Sequence, residues 1–128
     1  MNRGEKIRYW IDSSDIDALA MHHLCANSDY TWALFLGHIV VEKLLKAVFI
    51  KNKDETPPFI HDLSRLADKA ELGLDQKQMD FLDTATTFNI RARYDDYKNE
   101  SASRCTKDYA EDAIRKIEEL QSWIKNRL

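Results

Sequence analysis

Glycine and proline are scarce in this chain: three glycines and two adjacent prolines among 128 residues. So few backbone punctuators cannot supply the many turns of a sheet protein, and no stretch keeps a period-two alternation for long. An all-α protein is the expectation. The two cysteines, Cys25 and Cys105, stand far apart. That spacing excludes a disulfide framework and the close pairs of a zinc site, and it favours a reducing, intracellular setting. Neither sign of charge dominates, since the net charge is −3 with a pI near 5.8. No global field therefore draws the protein onto nucleic acid or an anionic membrane, and any phosphate contact needs a local basic patch. Long hydrophobic runs are also missing. The most apolar segment, Tyr30–Ile50, is interrupted by His38, Glu42, Lys43 and Lys46, which is costly for a membrane span and ordinary for the central helix of a bundle. The opening residues, MNRGEKIRYWIDSSD, contain no apolar stretch of signal-peptide length. A single cytoplasmic domain without membrane contact is the expectation.

Apolar periodicity then places the helices. The first runs from about Arg3 to Asn27, with Ile7, Ile11, Ser14, Ala18, Met21 and Cys25 along one face and a conceivable fresh start at "DSSD" (12–15). The second, about Tyr30–Lys51, is apolar nearly all round in its first half and should be the most buried. "NKDETPPF" (52–59) is a loop, because paired prolines deny helix to their neighbours. A short helix follows from about His61, and Gly73 is a natural residue to end it. Asp75 and Gln78 form the pattern of a capping box. They open a fourth helix whose stripe is Phe81, Leu82, Ala85, Phe88 and Ala92. "KNESAS" (98–103) reads as a loop. The last helix, about Arg104–Asn126, turns Ala110, Ala113, Ile114, Ile117, Leu120 and Ile124 inward. Four long helices and one short one, closely joined, predict an antiparallel up-and-down bundle.

Three constellations bear chemistry. His22, His23 and Cys25 sit too close on one helix to converge on a metal, with no second cluster to complete a site. Cys25 reads as a core residue with the two histidines at the core's edge, and no metal or cofactor is expected. His38, Glu42 and Lys46, four residues apart, share one face of the central helix, where charges must find partners or a cleft. "NIRARYDDYK" (89–98) sets Arg91 and Arg93 on opposite flanks of the apolar stripe, with Tyr94 and Tyr97 beside them. The guanidinium fork suits phosphate oxygens and the tyrosine ring offers a stacking face, a fair contact set for a nucleotide or RNA. Equally, Arg91 and Arg93 with Asp95 and Asp96 could neutralise one another at a helix end. Spacing alone leaves both open.

The order of the pieces "VEKLLKAVFIKN", "PPFIHDLSRLADKA", "ARYDDY" and a final amphipathic helix resembles the HEPN domain family (higher eukaryotes and prokaryotes nucleotide-binding) over nearly the whole chain. Its most specific parts are Glu42-Lys43 with Lys46-Ala47, His61-Asp62-Leu63 and Arg93-Tyr94. The resemblance implies a helical bundle over residues 1–128, usually a homodimer. It also implies a minimal nucleotidyltransferase as partner in a toxin–antitoxin-like system. Many members are metal-independent endoribonucleases, whose signature is an Arg followed after four to six residues by a His. Here all four histidines (His22, His23, His38, His61) precede Arg65, and from Arg91 or Arg93 the allowed positions hold Asp96, Tyr97, Lys98, Asn99 and Glu100. Histidine has the pKa that suits the proton transfer, and tyrosine does not.

The expectation is therefore a binding module without the usual ribonuclease chemistry. Its nucleotide or RNA phosphate would lie against Arg91, Arg93, Tyr94, Lys43, Lys46 and Glu42. An active ribonuclease using Arg91, Arg93, Tyr97 and His61 is the alternative, and a purely structural dimer is the third.

Overall fold

Asn2 starts the first helix. Its side chain accepts from the Glu5 N–H at 2.8 Å while the Glu5 carboxylate accepts from the Asn2 N–H at 3.3 Å, a reciprocal cap that satisfies two orphan donors. The structure, a computed structural model, describes residues 1–94 and 105–128, apart from the side chains of 91–94. Helix α1 (Arg3–Ala26) runs through "DSSD" without a break. The reason is tertiary: Ser14 faces inward and donates to the Val40 carbonyl at 2.9 Å, so its hydroxyl is satisfied across the bundle instead of competing for its own backbone.

The end of α1 is tightly closed. Ser28 adopts a left-handed φ of 65°, its N–H bonds to the Cys25 carbonyl at 3.0 Å, and the Asp29 N–H reaches back to Leu24 at 2.8 Å. This Schellman closure leaves three residues before α2 (Tyr30–Lys53), so the two helices lie antiparallel. Helix α2 carries the longest run of buried residues and packs against every other helix, as its apolar surface requires. Gly37 permits its close approach, since a Cβ there would collide with Ile117 and come 3.3 Å from the Met21 sulfur.

Asn52 and Lys53, expected in the loop, prolong α2 by half a turn before Asp54 stops it at a φ of 53°. Helix α3 (Leu63–Lys69) starts at Asp62, whose carboxylate accepts from the Arg65 N–H. Gly73 does not end it. Glu71 takes the left-handed position with a φ of 59°, completing a second Schellman closure through Glu71 to Asp68 and Leu72 to Ala67. The Glu71 side chain is also held by an ion pair from Lys53 at 2.7 Å.

Helix α4 (Gln76–Tyr94) opens with the expected capping box, Gln78 N–H to the Asp75 carboxylate at 2.7 Å and Asp75 N–H to the Gln78 amide oxygen at 3.0 Å. Leu82, Ala85 and Phe88 are buried in the core. Helix α5 (Lys107–Lys125) starts from Thr106 and buries all six of the residues named for its inner face. The result is an all-α up-and-down bundle, with four long helices and one short one among the described residues. The expected loop 98–103 lies outside the described residues, as do Asp95, Asp96 and Tyr97.

Candidate functional site beside helix α2

Helix α2 carries three polar side chains into the bundle: His38 is fully buried, Glu42 is 5% exposed and Lys46 is 9% exposed. Their four-residue spacing aligns them below the loop that returns from the end of α2 to α3. Each has an identifiable neighbour. The His38 Nε2–H donates to the His61 carbonyl at 2.9 Å, which assigns its tautomer because a carbonyl only accepts. Glu42 stands between two cations or potential cations: one carboxylate oxygen lies 2.7 Å from His61 Nδ1 and the other 3.5 Å from Lys46 Nζ. The Lys46 ammonium also rests over the Trp10 ring at 5.0 Å and the Phe59 ring at 5.7 Å. Two aromatic faces and a carboxylate thus offset the cost of drawing that charge out of water.

The loop is built to hold His61 and Phe59 in place. Pro57 and Pro58 fix extended backbone before it. The Ile60 N–H then bonds to the Pro58 carbonyl at 3.0 Å, a three-residue turn with Phe59 at its tip. Ile60 packs into the core and Phe59 points outward, 89% exposed, its ring edge-on to His61 at 5.3 Å. His61 is fixed twice, through its carbonyl by His38 and through its ring by Glu42. Since an ionised carboxylate only accepts, Nδ1 carries the proton shared with Glu42. Nε2 has no hydrogen-bond partner among the described residues. A carboxylate that orients an imidazole in this way equips it to accept a proton or a hydrogen bond at Nε2.

The other predicted residues distribute differently. Lys43, one position round the helix, turns to α1, 2.6 Å from the Asp17 carboxylate and 2.7 Å from the Ser13 hydroxyl. It ties the first two helices together and does not join Lys46 in one groove. Arg91, Arg93 and Tyr94 belong to the last turn of α4, but their side chains lie outside what is described, and Tyr97 lies outside entirely. Their backbone is nonetheless located relative to His61: Thr86 of α4 accepts from the Leu63 N–H at 3.0 Å, and seven residues of helix separate Thr86 from Arg93, about 10 Å of rise.

Two residues of the cluster are not legible as site residues in the sequence. Periodicity places Phe59 only at the end of a loop, although an aromatic residue after two prolines, with an apolar Ile60 next to it, is a signal for a pinned tip. Trp10 and Trp123 are aromatics that one small bundle could leave exposed. Trp10 is instead half-buried under Lys46, and Trp123 is covered by Arg127, whose guanidinium stacks 3.3 Å from the ring centre.

Elsewhere, a groove of about 640 Å³ between α4 and α5 is lined by Phe81, Phe88, Tyr109, Leu120 and Trp123 among others. None of the predicted site residues is among the described residues that line it. No group of three or more His, Cys, Asp or Glu able to hold a metal occurs among the described residues. Among them, no helix is long and apolar enough to cross a membrane. His22 and His23 are exposed at the edge of α1, with His22 3.7 Å from Glu118. Cys25 is part-buried; burial, and then the negative Glu111, push its thiol pKa up, against the opposing Lys107.

The HEPN domain model matches residues 7–127. The crystal structure of TT1696 from Thermus thermophilus superimposes with a TM-score of 0.84 at 19% identity, covering 100% of both chains. At that identity the likeness speaks for the fold alone. No curated protein matches the chain.

Proposed function

The chain belongs to the HEPN domain family, and from that premise we propose that it is a nucleotide- or RNA-binding module that works as a homodimer. In this reading the ligand lies over the loop beside α2, where Phe59 and His61 are exposed. Its base rests on Phe59, its sugar–phosphate near His61, Glu42 and Lys46, and its next phosphate against Arg91 and Arg93, with Tyr94 as a second stacking face. Lys43 supports the edge by holding α1. The observation that carries the reading is the Thr86–Leu63 hydrogen bond. It fixes the start of α3, two residues after His61, to α4, and the arginine turn lies about 10 Å of helical rise beyond Thr86, a distance that a dinucleotide step or two can cover. A minimal nucleotidyltransferase is the partner that the family resemblance supports, in a toxin–antitoxin-like pair. The whole chain, residues 1–128, acts as one such unit.

Arg91→Ala and Arg93→Ala test this directly. Each should weaken binding of a fluorescent single-stranded RNA by about ten- to a hundredfold, the worth of one charge-assisted contact, and should flatten the salt dependence of what remains. Unchanged affinity in both variants, with a small shift in melting temperature, would mean that the arginines only pair with Asp95 and Asp96.

A second reading has one observation in its favour. Glu42 holds the His61 ring through Nδ1 at 2.7 Å and leaves Nε2 without a hydrogen-bond partner among the described residues, the orientation in which a neutral imidazole can accept a proton. An endoribonuclease using His61 with Arg91, Arg93 and Tyr97 would cleave RNA in the presence of a chelator and lose that activity in His61→Ala. In the preferred reading the isolated protein shows little or no such cleavage.

A further inference from the structure

One line along α2 joins an exposed aromatic ring to the nearly buried ammonium of the site. Trp32, Ile39 and Lys46 recur every seven residues, a spacing that drifts only about 20° per step on a helix. Trp32 is 51% exposed with its ring edge-on to Phe35 at 5.5 Å, and Ile39 is half-buried. Helix α1 flanks this line in a register that four contacts fix. Trp10 lies under Lys46, Ser13 and Asp17 hold Lys43, and Ser14 bonds to the Val40 carbonyl. Tyr9 therefore stands level with the Lys46 end and Ile16 with the middle of α2, and both are more than half exposed. The charges along the face are paired within the chain: Lys43 with Asp17, Arg8 with Asp12, and Lys46 with Glu42. An apolar face whose charges are already neutralised fits a second copy of itself better than a nucleic acid or a highly charged partner.

The amount of surface suits one pairing. Tyr9, Ile16, Leu19 and Trp32 are each at least 51% exposed and present roughly 400 Å² of apolar surface between them. One side of a standard interface buries about 800 Å², a little over half of it apolar. We propose that the α1–α2 face docks a second copy of the chain antiparallel, with the two-fold axis at Ile39, so that each copy supplies Trp32 to the other's site. Trp32 and Lys46 lie seven residues, about 10 Å, to either side of Ile39. The axis therefore brings the partner's Trp32 over Lys46, beside Trp10 and Phe59. A third aromatic face then lines the ammonium, in a contact that strengthens as water leaves. The parallel alternative would set Lys46 against Lys46 in a drying interface, where like charges are costly. The inference rests on the homodimer reading and adds to it the surface, the direction and the residue that crosses over.

The test uses the full chain with Cys25→Ala and Cys105→Ala, which removes both native thiols, and a short bismaleimide that bridges neighbouring thiols. Adding Ile39→Cys should give a covalent dimer, since the axis sets that position against itself. Trp32→Cys together with Phe59→Cys should give one too. Neither of these alone should, because the two copies of position 32 lie about 20 Å apart along the paired helices. In the chain with its native cysteines, Trp32→Ala should raise the dissociation constant of the dimer about tenfold or more, as a hot-spot aromatic does, with helicity unchanged. A covalent dimer from Trp32→Cys alone would mean a parallel pairing. No covalent dimer from Ile39→Cys, in a protein that sediments as a dimer, would mean another surface. Either result, or an unchanged dissociation constant in Trp32→Ala, would overturn the inference and leave the homodimer standing. A monomer from the unaltered chain would overturn both.

Discussion

Glu42 is the residue on which the site turns. It is buried between Lys46 and His61, and neither neighbour is an ordinary surface partner: Lys46 is nearly buried itself, and His61 is the exposed end of the cluster. Removing its charge while keeping its shape leaves a lysine in the bundle with only two aromatic faces to hold it. Glu42→Gln should therefore cost about 3 kcal/mol, the lower end for breaking a buried pair, read as a drop in the urea midpoint. Glu42→Gln combined with Lys46→Met should recover much of the loss, because two neutral side chains of similar volume no longer demand compensation. If the double variant is no more stable than the single one, the ion pair is not what Glu42 contributes. At this scale the sequence is half legible. The spacing of His38, Glu42 and Lys46 and the His61 position all stand out, because charges on an apolar helix are anomalous. The connection between His61 and Glu42 does not, since nothing local says that a loop nineteen positions downstream folds back to the middle of α2.

Elements are easier to read than sites. Apolar period and capping chemistry place each helix to within a few residues, and the misses have physical causes. "DSSD" stays helical because Ser14 finds the Val40 carbonyl. The end of α3 falls on Glu71 and not Gly73, because the closure needs a left-handed residue two positions earlier. These caps have measurable weight. Asp75→Ala should destabilise the protein by about 1 kcal/mol through loss of its cap on α4. Ser28→Gly should stabilise it by about 0.5–1 kcal/mol, since glycine occupies the left-handed position without a Cβ penalty. Thermal or urea unfolding of both variants decides the signs. A stabilising Asp75→Ala or a destabilising Ser28→Gly would show that the ends of these helices are held by packing and not by their caps.

The whole molecule leaves apolar groups uncovered on its outer side. Tyr9, Ile16 and Leu19 fall on one face of α1 by helical spacing, and Ile16 is 69% and Leu19 60% exposed. Trp32 near the start of α2 is half exposed as well. A face of this kind on a small bundle is the usual mark of a partner, and the homodimer we propose gives it one. Light scattering at micromolar concentration should return the dimer mass, and the double variant Ile16→Glu with Leu19→Glu should return the monomer mass with helicity intact. A monomer from the unaltered protein would remove the dimer from the account. The fold of the whole chain is legible because an all-α bundle follows from local periodicity. Partner and ligand are not, because they depend on surfaces assembled from distant positions.

The central claim is that one nucleic-acid strand runs from the exposed Phe59 turn beside α2 to the last turn of α4. Photo-crosslinking with a single-stranded RNA carrying 4-thiouridine, followed by peptide mapping, tests it most directly. Cross-links on the segment containing Phe59 and His61, and on the segment containing Arg91, Arg93 and Tyr94, are the result expected. Cross-links confined to the groove between α4 and α5, at Tyr109 or Trp123, or no cross-link at all, would contradict it.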